Sequence, residues 1–82
     1  LAELGVVAIG ADNWALEVLP NEQGRRSFDV HQYLLAGMGT YILEYVRTEE
    51  LVRDQAWEFM FVLGVPKYQG GVQAVVNPVA IR

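Results

Sequence analysis

The stretch Phe28–Glu44, F-D-V-H-Q-Y-L-L-A-G-M-G-T-Y-I-L-E, decides the reading of this chain. It opens with a helix-start pattern. Asp29 is placed to cap, Gln32 stands three residues later as in a capping box, and Phe28 with Tyr33 has the spacing of a hydrophobic staple. The spacing predicts a helix over 30–36 that stops at Gly37, with Gly39 close behind. It then predicts a strand over 41–46. The only histidine, His31, falls in the first helical turn. There the positive end of the helix dipole favours the neutral imidazole, the form that binds metal. Glu44 falls mid-strand, on the face of Ile42 and Val46. A carboxylate in the apolar run Y-I-L-E-Y-V is costly to bury unless it is paired. A divalent ion shared with His31 is one such partner, since imidazole nitrogen with carboxylate oxygen is a common zinc or manganese donor set. An arginine or backbone N–H groups are another, and the residues alone leave both open. A metal site needs at least three ligands, and the chain has one His and no Cys.

Upstream, Leu4–Ile9 is short, apolar and β-branched, which predicts a buried strand. Gly10–Asn13 reads as a turn. Residues 14–19 alternate, with Trp14, Leu16 and Val18 on one face and Ala15 and Glu17 on the other, which predicts a second strand. Glu17 is its polar member, open to ion pairing. Pro20–Ser27, including the Arg25-Arg26 pair, reads as a surface loop. Downstream, Thr48 can cap a short helix over 49–55, with Glu49 and Glu50 at its positive end. Trp57–Leu63, W-E-F-M-F-V-L, is apolar on both faces and predicts a central strand. Gly64 and Pro66 end it, Val72–Val76 is ambiguous, and Pro78–Ile81 reads as a short final strand. The expected class is a β-rich α/β unit of about five strands and two short helices with a mostly buried sheet.

Eighty-two residues make at most one domain, read here as a single unit over 1–82. Hydrophobic residues are 52% of the chain, more than so small a domain buries by itself. The surplus can face a partner subunit or a further part of the same polypeptide. The net charge is −4 and the six basic residues are scattered, which argues against a nucleic-acid partner. No apolar run reaches the length of a membrane span, no secretory leader pattern is seen, and the absence of cysteine fits a cytoplasmic protein.

Two further residues are candidates. Asp12, in G-A-D-N-W, sits where an open sheet places functional carboxylates, and is equally a turn former. Trp14 heads a set of aromatics that could line a pocket for a flat substrate or belong to the core. Gly70-Gly71 lacks the spacing of a nucleotide loop, and there is no G-x-S-x-G.

Taken in order, G-A-D-N-W-A-L-E-V-L-P, F-D-V-H-Q-Y-L-L, Y-I-L-E, W-E-F-M-F-V-L and N-P-V-A-I resemble the C-terminal part of the cyclase family. These are metal-dependent hydrolases that include bacterial kynurenine formamidase and isatin hydrolase. The resemblance covers nearly the whole chain. It implies the C-terminal portion of a swivelling β/α fold and hydrolysis of an amide, lactam or related carbonyl bond with zinc or manganese. It places metal-ligand roles on His31 and Glu44; Asp12 and Trp14 stand beside them as candidates for substrate contact or support of the ligands. The remaining ligands and a further catalytic histidine belong to a His-x-Gly-Thr-His-x-Asp motif that this sequence does not contain, so the chain is expected to carry part of a site and no catalytic base. It also implies a small-molecule substrate, the N-terminal portion of the same protein as partner, and a homo-oligomer. Two departures leave the substrate open: Tyr45 stands where the family often has Asn, and Gly70–Pro78 lacks the Gly-Ser-Pro-x-Arg-Pro ending. The rival readings are a non-catalytic interaction or oligomerisation domain and a degenerate, inactive family member.

Overall fold

A computed structural model of the chain describes residues 1–25 and 27–82; the placing of Arg26 in a surface loop lies outside the described residues. The fold is a small mixed α/β arrangement of helices and strands. It separates into two compact units, Leu1–Thr48 and Glu49–Arg82.

In the first unit a 3-10 turn over Ala2–Leu4 ends at Gly5, which is left-handed at φ 74°. The strand read at residues 4–9 is therefore shorter and later: β1 is Ala8–Gly10. Strand β2, Tyr41–Leu43, pairs parallel with it in the register Ala8↔Tyr41, Ile9↔Ile42, Gly10↔Leu43. Parallel neighbours require a crossover, and the helix supplies it. Helix α1, Asp29–His31, passes directly into a π-helical stretch, Gln32–Met38. The helix runs past Gly37 and ends at Gly39, which takes φ 67°. The Leu34 carbonyl accepts the amides of both Gly39 and Thr40, the latter at 2.8 Å. Below this end lie buried Leu34 and buried Thr40, whose hydroxyl donates to the Val6 carbonyl at 3.3 Å.

The alternating segment 14–19 is not a strand. Ala15 and Leu16 both take positive φ, 69° and 59°, so the chain bends where a strand would stay extended. Ala15 is buried while Trp14 and Val18 are exposed. The bend directs Glu17 toward the start of α1. Asp29 does not cap that helix; Phe28 precedes it without a side-chain cap bond. Asp29 Oδ2 instead accepts from Asn21 Nδ2 at 2.8 Å and Ser27 Oγ at 2.9 Å. Asn21 Oδ1 takes the amides of Gln23 and Arg25, so this loop is organised by its own polar side chains.

In the second unit, α2 is Glu49–Arg53 and the chain leaves it through Gln55 at φ 50°. Strand β3, Met60–Val62, pairs antiparallel with β4, Val79–Ile81. The expectation of a long central strand over 57–63 does not hold. A strand extends as far as its partner, and β4 offers three residues. Met60, Phe61 and Val62 are all exposed, so neither face is covered within the unit. Four strands are formed among the described residues, in two two-stranded sheets, where about five were expected in a buried sheet. No described helix is long and apolar enough to cross a membrane.

Candidate metal and histidine centre

His31 is the last residue of α1 and stands between two carboxylates. Its Nδ1 lies 2.6 Å from Glu17 Oε1, and its Nε2 lies 3.3 Å from Glu44 Oε1. The Glu17 side chain is only 5% exposed, while His31 and Glu44 keep 19% and 22%. Glu17 is thus the buried member of the group, and His31 and Glu44 keep partial access to solvent.

Glu17 is held by more than the ring. Its Oε2 accepts the Val30 amide at 3.1 Å and its Oε1 accepts the His31 amide at 3.2 Å. These are free N–H groups of a helix start, so a carboxylate from 13 residues upstream does the work expected of Asp29. Burial pushes the Glu17 carboxyl up. The hydrogen bonds from the His31 ring, the Val30 amide and the His31 amide, with the charge of a protonated His31, outweigh burial and hold it below its ordinary value.

Glu44 lies just past the end of β2, not mid-strand. The pairing of β1 with β2 continues irregularly through it. The Ala11 amide donates to the Leu43 carbonyl, the Val46 amide to the Ala11 carbonyl, and the Tyr45 amide to the Asn13 carbonyl. Tyr45 takes φ 54°, which turns the chain directly after Glu44. Gly10 permits this close approach, since a Cβ there would meet Val46 Cγ2 at 3.3 Å and Leu43 Cβ at 3.4 Å.

The other two candidates border this centre. Asp12 is exposed in the bend between Ala11 and Asn13, the two residues that hold segment 43–46. Trp14 packs edge-on to Phe28, with ring centroids 6.2 Å apart, and Phe28 packs edge-on to His31 at 5.0 Å. Phe28, read as half of a staple, is the aromatic wall of His31. Glu17 is the residue whose role the sequence hides, because its partners are reached only through the bend at Ala15 and Leu16. A surface depression of about 440 Å³ is lined by Glu17 with Asn21, Glu22, Asp29 and Val30 among others, and by neither His31 nor Glu44.

The donor chemistry suits a divalent ion in part. At 2.6 Å from a carboxylate, Nδ1 must carry the proton. In the neutral ring Nε2 then presents a lone pair toward Glu44, and two acceptors 3.3 Å apart attract only through a proton or a cation. Two ligand atoms about 2.1 Å from one ion, at angles of about 90–110°, stand about 3.0–3.4 Å apart, and this pair meets that spacing. A carboxylate behind the far ring nitrogen is the usual support of a metal-binding histidine. The described residues hold no group of three His, Cys, Asp or Glu side chains placed around one point, so at least one further ligand must come from outside them.

Comparison with known proteins finds no matching family model, no matching curated protein and no matching solved structure.

Proposed function

We propose that this chain is the metal-completing portion of a metal-dependent hydrolase that opens an amide, lactam or related carbonyl bond, with a cyclase-type swivelling fold in the complete protein. The observation that supports it best is the bracketing of His31, with Glu17 on Nδ1 and Glu44 facing Nε2. His31 Nε2 and the Glu44 carboxylate would hold zinc or manganese. Such an ion, when bound, supplies Lewis acidity to the scissile carbonyl and lowers the pKa of a water. Glu17 orients the imidazole. The exposed Trp14 edge, continued by Phe28, gives a flat substrate an apolar surface beside His31. The remaining ligands and the general base would come from another segment, acting with this one in a homo-oligomeric, cytoplasmic enzyme.

The test uses the one histidine. In a titration of the chain with zinc or manganese chloride, His31 Nε2 is the ring atom expected to respond, with zinc read by imidazole nitrogen NMR. His31→Ala abolishes the binding and Glu44→Gln weakens it at least about tenfold. An Nε2 signal unmoved by millimolar zinc, or unchanged metal binding in His31→Ala, overturns the reading.

A second reading has its own observation. Buried hydrophobic residues among those described are Ala2, Ala15 and Leu34, while Trp57, Met60, Phe61, Val72 and Val75 are exposed. An interaction or oligomerisation module would use that surface. Sedimentation at rising concentration separates the two, since self-association without zinc binding favours the module.

A further inference from the structure

We infer that Glu17 is the positioning residue of the His31 centre, locking the imidazole in the Nδ1–H tautomer and aiming its Nε2 lone pair at Glu44. The inference deepens the metal reading, and its consequence for metal affinity rests on that reading. The tautomer itself does not.

Three observations carry it. The Glu17 Oε1–His31 Nδ1 distance of 2.6 Å is that of a charge-assisted N–H···O bond, whereas the opposite contact, Nε2 to Glu44, is 3.3 Å. The proton of the neutral ring therefore belongs on Nδ1. Second, Glu17 is immobilised by the Val30 and His31 amides, so both its oxygens are engaged at the helix start. It cannot swing away without giving up both amide hydrogen bonds at once. Third, the same residue that supplies the imidazole supplies one of those amides. The carboxylate is thus referenced to the backbone of His31 as well as to its ring, which fixes the ring's χ angles relative to the helix. Phe28, edge-on at 5.0 Å, closes the ring's side. A carboxylate serving only as a helix cap would need the amides and would have no reason to meet Nδ1.

A free imidazole side chain favours the Nε2–H form, so the inference demands an inverted preference. The experiment is long-range proton–nitrogen correlation NMR of the metal-free, nitrogen-15-labelled chain, on the alkaline plateau where the ring signals stop moving. His31 is the only histidine, so the ring pattern needs no assignment. The expected result is a dominant Nδ1–H pattern in the parent chain, retained in Glu44→Gln. In Glu17→Gln the Nε2–H form rises at least about fivefold, because an amide can donate to Nδ1 as well as accept from it. Backbone amide dispersion reports whether each variant is folded. If Glu17→Gln does not fold, the parent spectrum alone decides. A dominant Nε2–H pattern in the parent overturns the inference, as does a folded Glu17→Gln that keeps the parent tautomer. An Nδ1–H parent with no response to zinc upholds the positioning role and removes the metal reading. Where zinc binds, Glu17→Gln is expected to weaken it about 10–100-fold, the usual effect of losing the carboxylate behind a ligand histidine.

Discussion

Glu17 and His31 are joined twice, ring to carboxylate at 2.6 Å and backbone amide to the same oxygen at 3.2 Å. One side chain therefore carries both the start of α1 and the orientation of the only imidazole. A fold element and a candidate site share a single support, and a change at Glu17 is felt by both.

Glu17→Ala should lower stability by about 2.5–4 kcal/mol in urea unfolding. A lost helix cap costs about 1 kcal/mol, and a lost hydrogen bond to a charged group about 1.5–3. The exposed Glu58→Ala should stay within about 0.5 kcal/mol. Equal effects of the two substitutions would show that the Glu17 contacts do not persist in solution.

Acid should act on the same residue. The Glu17 carboxyl is held below the ordinary carboxylate value by the hydrogen bonds from His31 Nδ1 and the two amides. A depressed folded-state pKa contributes stability that is fully present above the unfolded value and lost as pH falls through the folded value. Stability should decline below about pH 4.5, and Glu17→Gln should shallow that decline. A Glu17→Gln profile parallel to the parent's between pH 5 and about 2.5 contradicts the assignment.

The helix end beside the site should be sensitive at Gly39 and Leu34. Gly39 sits at φ 67°, where a Cβ costs about 1 kcal/mol, so Gly39→Ala should lose about that amount although the space around it is open. Leu34→Ala removes a buried side chain and should cost about 2–3 kcal/mol. Gly37→Ala, in the helix with negative φ, should be neutral or stabilising by a few tenths of a kcal/mol, about the gain in helix propensity tempered by context. Thermal unfolding of the three variants checks the order.

In the second unit, Asp54 pairs with Arg53 Nε at 2.9 Å and with the Arg82 guanidinium. All three side chains are solvent-accessible, so Asp54→Asn should cost no more than about 1 kcal/mol and less in high salt. A loss above about 2 kcal/mol that salt does not reduce would require the pair to be covered in solution.

Much of the local order was legible in the chain. The helix around His31, the short helix after Thr48, the polar loop after Pro20 and the strand cores at 41–43, 60–62 and 79–81 follow from polar helix-start residues, apolar runs and Pro/Gly punctuation. His31 and Glu44 could be singled out because a lone imidazole and a carboxylate within an apolar run each need a partner. What could not be read is who meets whom. Residues 14–19 alternate as a strand does, yet two consecutive positive-φ residues bend them, a choice made by the burial of Ala15 and the demand of the α1 amides for an acceptor. Asp29 has the spacing of a cap, yet Asn21 and Ser27 hold it elsewhere. Strand length was misjudged for a related reason, since an apolar run sets what a strand can be and its partner sets where it stops. The sequence by itself determined the type of the elements at 29–38, 41–43, 49–53, 60–62 and 79–81, because those rest on interactions within a few residues. Only the tertiary structure decided that Glu17, His31 and Glu44 form one centre, because contacts across 14 and 13 residues depend on bends, registers and backbone donors that no local spacing encodes.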